Sequence, residues 1–327
     1  MTSQGNTFYM PKQGKNAQGK ERTVGFELEF SGLSLTQTVE ITCNTLNGKI
    51  TEQGPAETSI ETEYGAFTVE VDWDFLKQTA KHVEQDSTPE AWLNTISQAA
   101  QILVPIEVVC PPIKISQLGC LNPLIDELRK HGAVGTEESL IAAYGVHINP
   151  EIPRIDASTI HRYLKAFGLL QYWLTDVQNI DIARRISPYI APFSEQYLVH
   201  LLTSPEPDMD QLIDDYLHFN ATRNRALDML PLFSHINKEK VFKIVDDAKI
   251  KSRPTFHYRL PNCHIDDLNW QLAESWNIWC FVEKLANDPS AMNSLSHSLI
   301  DHKHGKAVEK KQWIQRIDQW IKDHELP

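Results

Sequence analysis

The sequence lacks the features that would assign it to several large classes of protein. Its five cysteines are odd in number and form no CxxC pair, which argues against a disulfide framework or a zinc cluster. No apolar run approaches the ~20 residues that cross a bilayer, and the first twenty residues contain no apolar stretch typical of a secretion signal. There is no HExxH motif for a zinc hydrolase. We therefore expect a cytoplasmic protein with reduced thiols and no membrane partner.

Composition narrows the class further. The 327 residues are enough for one large hydrophobic core or two smaller ones. A hydrophobic content of 41% with 23% charged residues is ordinary for a soluble globular protein. The formal net charge of −12 argues against a nucleic-acid surface, so we expect no nucleic-acid partner.

Two carboxylates stand two residues apart in the β-prone run GFELEF, at residues 25–30. Side chains alternate across a strand, so Glu27 and Glu29 share one face while the phenylalanines and the leucine share the other. For this run alone, the simplest interpretation is an acidic face turned towards solvent and an apolar face turned towards a core.

The same alternation recurs in three further strand-like runs, GAFTVEVDW, LVPIEVV and YGVHINP. Two carboxylates ~5 Å apart repel by roughly 3 kcal/mol at an effective dielectric constant of about 20. A cluster of several such groups therefore requires protonation or cations, and oxygen-rich groups with one imidazole suit Mg²⁺ or Mn²⁺ better than Zn²⁺. If these strands are neighbours, the residues that could join Glu27 and Glu29 are Glu70, Asp72, Glu107, His147 and Asn149.

The organisation of the chain changes near residue 150. Residues 1–22 are polar and are predicted to form a flexible leader. Residues 23–150 are mainly strand-like, whereas residues 155–327 carry apolar residues at helical spacing. A strand-like run at 254–262 must pair with something, and the N-terminal sheet is the available partner. We therefore predict one interwoven α+β domain over residues 23–327. Further predictions are a helix after the capping box at Ser87, a helix over 121–131, and a loop or solvated hairpin over 47–63.

Five motifs carry, in order, a resemblance to a known family: GFELEF, EVVCPP, GVHINP, TRNRALDMLPLF and HYRLPN. The series spans roughly residues 23–265 and resembles that of the amidoligase family. That family belongs to the carboxylate–amine ligase superfamily, with glutamine synthetase and glutamate–cysteine ligase. The resemblance implies a glutamine-synthetase-like antiparallel sheet that forms a funnel, with a helix-rich C-terminal half packed around it. It also implies that ATP binds at one end of the funnel, with Mg²⁺ or Mn²⁺ bridging its phosphates.

The resemblance implies two metal positions. Glu27 and Glu29 match the acidic pair of the family and would serve different metals. Glu107, which has a proline four residues later, would join Glu29 at one metal, with Asp72 as a third ligand. His147 matches the histidine of the family's HxN motif and would share the second metal with Glu27.

The resemblance also implies cations that face phosphate. Arg259 matches the arginine of the late family strand, and Arg223 or Arg225 would supply another cation, while Asn149 is assigned to the nucleotide. The family commonly has Glu two residues before the late arginine, whereas this chain has His257. An imidazole can ligate a divalent ion but brings no negative charge. The second metal is therefore expected to bind weakly, to be manganese, or to be absent.

The implied reaction joins a carboxylate to an amine. The carboxylate attacks the terminal phosphate of ATP to give an acyl phosphate and ADP, and the amine then displaces phosphate to form an amide. Metals and arginines are needed because both partners of the first step are anions. The substrates would be small-molecule or peptide acids and amines. Glu70, Glu52 and Glu57 are candidates for the base that takes the proton of the amine.

Two alternatives from other classes remain open. A glycoside hydrolase needs two carboxyl groups, one as acid and the other as nucleophile or base, and a requirement for ATP and a divalent ion would separate a ligase from it. A non-catalytic nucleotide-binding relative would keep the fold and lose turnover, an interpretation that His257 favours. Binding of a nucleotide without release of phosphate would indicate this second case. The sequence identifies neither the substrates nor the oligomeric state.

For a ligase, Glu27→Gln and Glu29→Gln are each expected to abolish ADP release in the presence of Mg²⁺ or Mn²⁺. Both are also expected to stabilise the metal-free protein, because a like-charge repulsion is lost. Turnover at the wild-type level in both variants would show that the metal assignment is wrong.

Overall fold

A seven-stranded sheet with antiparallel pairing lies at the centre of the N-terminal half. The computed structural model describes residues 6–71, 105–136, 144–181, 184–185, 188–305 and 310–324. Within them the architecture is α+β, as the sequence predicts, while closure of the sheet into a funnel stays a prediction. The strands are β1 (Thr23–Phe30), β2 (Lys49–Gln53), β3 (Glu57–Thr62), β4 (Gly65–Val71), β5 (Ile106–Val109), β6 (Ile113–Lys114) and β7 (Val146–Pro150).

Helices predominate after the sheet. In the described ranges none of them is long and apolar enough to cross a membrane. The prediction over 121–131 is confirmed by a helix that ends one residue earlier. The α-helices are α1 (Leu35–Leu46), α2 (Leu121–Lys130), α3 (Ala157–Val177), α4 (Glu195–Thr203), α5 (Met209–Asn220), α6 (Leu230–Ile236), α7 (Lys238–Phe242), α8 (Leu272–Ala286), α9 (Pro289–Gly305) and α10 (Lys310–Asp323).

Strand β1 is the most connected strand of the sheet. The order runs β2-β3-β4-β5-β1, and β6 and β7 also pair with β1. One face of β1 is wholly buried, because Val24, Phe26, Leu28 and Phe30 are each 0% exposed. Helix α1 packs against β3, β4 and α2. Since side chains alternate along a strand, the acidic positions of β1 lie on the opposite face.

The segment 47–63 forms β2, β3 and the turn between them, so the hairpin interpretation is confirmed. All five residues of β2 are exposed, and its register with β3 shifts between Ile50 and Glu52. Helix α1, which precedes the hairpin, was not predicted. It begins at a capping box in which Ser34 and Gln37 bond reciprocally. The helix predicted after Ser87 lies outside the described residues.

Residues 254–262 pair with β7, although through isolated bridges and not as a continuous strand. The bridges join Ile148 to Tyr258, Glu151 to Thr255, and Gly145 to Asn262. The apolar side chains of the segment pack on α3, where Tyr163 stacks on Phe256 with ring centroids 4.7 Å apart. The alternate side chains of the segment are therefore turned towards the polar face of the sheet.

Residues 6–22, expected to form a flexible leader, hydrogen-bond to α8 in the structure. The amide of Tyr9 donates to Asn277 Oδ1 at 2.9 Å, and the indole of Trp276 donates to the carbonyl of Tyr9 at 2.8 Å. At the end of this segment Arg22 is fully buried and forms a two-pronged ion pair with Glu283, with N···O distances of 2.9 and 2.7 Å. These contacts attach the start of β1 to α8.

The pair of Arg22 and Glu283 generates a stability prediction. Glu283→Gln would leave the buried guanidinium without its counter-charge, and removal of one partner of a buried ion pair costs about 3–5 kcal/mol. We expect a loss of that order in the free energy of unfolding, measured by urea denaturation. The control is Glu40→Gln on the exposed side of α1, which should change the same quantity by less than about 0.5 kcal/mol. Equal effects of the two substitutions would contradict the prediction.

Candidate metal and phosphate site

Two acidic groups and an imidazole meet where β1 pairs with β7. The register places Glu27 opposite His147. Glu27 Oε2 accepts a hydrogen bond from His147 Nδ1 at 2.7 Å, and His147 Nε2 lies 3.5 Å from Glu29 Oε1. Because Glu27 accepts from Nδ1, the imidazole is held with its Nε2 turned towards Glu29. A carboxylate that fixes the tautomer of a histidine in this way is a common support for a metal ligand.

A row of carboxylates crosses four strands at one register. Glu29 of β1 is opposite Glu107 of β5, Glu107 is opposite Glu70 of β4, and Glu70 is opposite Glu57 of β3. Glu70 also hydrogen-bonds to Glu107, and burial followed by the charges of Glu57 and Glu27 raises the pKa of Glu70. The sheet therefore gathers the acids that the sequence places on separate strands.

Among the described residues, two groups of side chains have the geometry to hold a cation. Glu29, Glu107 and His147 form one, and Glu27, His147 and His257 form the other, each with potential ligand atoms within 4.8 Å of one another. The first offers two carboxylates and one imidazole, which suits Mg²⁺ or Mn²⁺. The second offers one carboxylate and two imidazoles and fits a hard cation less well. Asp72, predicted as a further ligand, lies outside the described residues.

Glu27 is the most densely bonded carboxylate of the site. Its Oε1 accepts hydrogen bonds from Asn149 Nδ2 at 2.9 Å and from Arg253 Nη2 at 3.0 Å. Burial alone would raise the pKa of Glu27, but the hydrogen bond from His147 and the charge of Arg253 outweigh it. The pKa of Glu27 therefore lies well below its usual value, and the carboxylate is ionised in the folded protein.

The late segment places His257 and Arg259 beside the carboxylates. The bridge between Ile148 and Tyr258 puts Arg259 opposite His147 and His257 opposite Asn149. Burial, followed by the charge of Arg259, lowers the pKa of His257 well below its usual value, so this imidazole is neutral. In the described part of the chain, His257 Nε2 and Arg259 Nε are buried without a hydrogen-bond partner. Unpartnered buried polar atoms of this kind are typical of a site that receives a ligand.

Arg259 is held by a carboxylate that the sequence reasoning did not single out. Arg259 Nη2 donates to Asp228 Oδ2 at 3.0 Å, and Asp228 is completely buried. Burial raises the pKa of Asp228, opposed by Arg259. The pair fixes the direction of the guanidinium, while Arg259 Nε is buried without a hydrogen-bond partner among the described residues.

The two arginines of TRNRALD have different surroundings. Arg225 donates from Nε to Asn220 Oδ1 at 2.8 Å and from Nη2 to the carbonyl of Phe219 at 3.3 Å, at the end of α5. Arg223 forms a 3.7 Å ion pair with Asp247. Burial lowers the pKa of Arg223, and the charges of Arg259 and Glu27 also act on it. Arg223 is therefore the one whose electrostatic surroundings include the site.

Buried Arg184 lies against the backbone of the late segment and of Gly145. Arg184 donates to the carbonyls of Arg259 at 2.8 Å and Leu260 at 2.7 Å. It approaches so closely to Gly145 that an added Cβ would lie 2.6 Å from its Nη2. The amide of Gly145 in turn donates to Glu29 Oε2 at 2.8 Å. Because glycine has no Cβ, both Arg184 and Glu29 can lie close to the backbone of Gly145.

Sequence reasoning missed Arg253, although a signal was present. Residues 253, 257 and 259 share one parity, so an extended segment that began four residues before His257 would have placed Arg253 on the same face. The role of Asn149 towards a nucleotide stays a prediction, and the structure adds contacts of its side chain with the site. Its amide bonds Glu27 and accepts from Arg253 at 3.3 Å, so its described contacts position a carboxylate.

A family comparison covers the whole of this site. The family model described as "Putative amidoligase enzyme" matches residues 20–281. The match begins just before β1 and ends within α8, so it contains each side chain that converges here. No curated protein and no solved structure matched the chain.

The contacts of Glu27 revise one expectation from the sequence. In the metal-free protein Glu27→Gln should lower the free energy of unfolding, because a bond to a charged partner contributes about 1.5–3 kcal/mol. Glu107→Gln should instead raise it, since Glu107 lies opposite Glu29 and like charges opposite each other in a sheet cost up to about 1 kcal/mol. Urea denaturation in a chelating buffer measures both. Stabilisation by Glu27→Gln would show that its hydrogen bonds are not net favourable.

Proposed function

The chain belongs to the amidoligase family, a family of ligase-type enzymes, and from this premise we propose that it is an ATP-dependent carboxylate–amine ligase. The observation that carries the proposal is the convergence of Glu27, Glu29, Glu107 and His147 beside Arg259. Such a site combines groups that hold divalent cations with a cation that can face phosphate. The acid and amine substrates are small molecules or peptides.

The acidic row would hold the metal that accompanies ATP. Glu29, Glu107 and the lone pair of His147 Nε2 are the ligands in this proposal. When bound, Mg²⁺ or Mn²⁺ supplies positive charge to the phosphate oxygens. The chain contributes the placement of that charge, because Gly145 orients Glu29, and Glu27 orients His147.

The arginines would face the transferring phosphoryl group. Asp228 fixes Arg259, whose free Nε can bond a phosphate oxygen. Arg223 is the better candidate for the second cation, because the guanidinium of Arg225 is already bonded at the end of α5. A carboxylate of the substrate attacks the γ-phosphorus and ADP leaves, and these cations offset the repulsion between the two anions.

The second half-reaction needs a base. The amine attacks the carbonyl carbon of the acyl phosphate, phosphate leaves, and one proton of the amine goes to the base. Glu70 is the best placed of the candidates, because its raised pKa makes it a stronger base than an ordinary carboxylate. Glu52 and Glu57 lie in the exposed hairpin.

The other interpretations use less of the site. A glycoside hydrolase would require two carboxyls and would leave Arg259, Asp228 and His147 without a role. A non-catalytic relative is favoured by one specific observation, the neutral imidazole of His257 among the candidate ligands. It predicts binding of ATP without release of ADP under any pairing of acid and amine.

The proposal is tested by ADP release with Mg²⁺ or Mn²⁺ against a panel of acids and amines. Removal of one transition-state electrostatic group typically costs 10²–10³-fold, so Glu29→Gln and Glu107→Gln should each lower kcat by about that factor. Glu40→Gln on α1 is a control with the same change of charge, and it should keep the wild-type rate. Unchanged turnover in both site variants, or turnover without a divalent ion, would overturn the proposal.

A further inference from the structure

A single nitrogen of Arg253 lies where three side chains of the site converge. Arg253 Nη2 is 3.0 Å from Glu27 Oε1, 3.3 Å from Asn149 Oδ1 and 2.5 Å from His257 Nδ1. Such a nitrogen carries two hydrogens but faces three acceptors. One carboxylate oxygen, one amide oxygen and one imidazole nitrogen around a single point are also atoms that a divalent cation can take as ligands.

His147 and His257 differ in which ring nitrogen donates and in which direction the other nitrogen points. Arginine can only donate, so His257 Nδ1 accepts from Arg253 and its proton is on Nε2. That proton is buried without a partner in the described part of the chain. His147 donates from Nδ1 to Glu27 and turns its Nε2 towards Glu29. His147 Nε2 therefore faces the acidic row, whereas the Nδ1 lone pair of His257 is already occupied by Arg253.

The group that contains Glu29 and Glu107 also carries more negative charge than the group that contains Glu27. Glu27 brings one negative charge, and the guanidinium of Arg253 neutralises it at 3.0 Å. Glu29 and Glu107 bring two carboxylates that are opposite each other in the sheet. Arg184 acts electrostatically on Glu29, but its hydrogen bonds go to backbone carbonyls and to Asn262. The acidic row is the place where an additional cation removes the most repulsion.

We propose that the guanidinium of Arg253 takes the place of a second divalent cation, so that the chain binds one ion, at Glu29, Glu107 and His147. This inference rests on the proposed function, which supplies the metal site. It adds a statement of the number of divalent ions that the chain binds. Arg253 acts through Glu27 and is a positioning residue. It holds Glu27 as an anion turned towards His147, and Glu27 in turn fixes the orientation of His147 Nε2.

The test is a titration of the metal-free full chain with Mn²⁺, followed by electron paramagnetic resonance of the free ion. One ion per chain is expected for the wild type. Arg253→Lys keeps the positive charge and should also bind one ion. Arg253→Ala opens the space between Glu27, Asn149 and His257 and should bind two. The double change Arg253→Ala with His257→Ala removes a ligand of the new position and should return the count to one.

Several results would overturn the inference. Two ions in the wild type would show that Arg253 does not replace a cation, and one ion in Arg253→Ala would show that its place is not a metal position. If Arg253→Ala does not fold by circular dichroism, Arg253→Gln removes the charge while keeping a hydrogen-bonding side chain, and the same counts apply. ADP release is measured in parallel. Two ions with turnover would contradict only the stoichiometry, whereas no bound ion and no turnover would contradict the proposed function as well.

Discussion

The pairing of β1 with its neighbours in one fixed register is the constraint on which the site depends. Glu29 opposite Glu107, and Glu27 opposite His147, follow directly from that register. A slip of one residue would turn the carboxylates into the core and the phenylalanines outwards. The buried face of β1 prevents such a slip, because Phe26 and Leu28 lose all their exposure to solvent. The hydrophobic core therefore sets the geometry of the polar face.

The two acids of GFELEF have become chemically different although they are two residues apart. Glu27 is surrounded by donors from Asn149, His147 and Arg253 and is stabilised as an anion. Glu29 receives one backbone hydrogen bond and has Glu107 opposite it in the sheet. One carboxylate thus organises the polar face, while the other adds to a concentration of negative charge. The difference comes from the neighbouring strand and from the late segment, not from the motif.

The sequence predicted the parts of this arrangement that depend on local periodicity. The alternation in β1, β4 and β7 placed the right residues on one face, and helical spacing located helices such as α3 and α8. What it could not supply was the partner of each polar group. Arg253 and Asp228 belong to segments more than two hundred residues from Glu27 in sequence. Their roles depend on how residues 254–262 return to β7, and no local pattern specifies that contact.

The carboxylates that cross the sheet also bear on how fast a cation arrives. Glu57, at the outer end of the row, is exposed, and the row continues through Glu70 and Glu107 to the partly buried Glu29. A line of like charges that runs from solvent inwards attracts ions and positively charged molecules over distances near the Debye length, ~10 Å at 0.1 M salt. The rate of association of such ligands would then fall as ionic strength rises, even where the final contacts are unchanged.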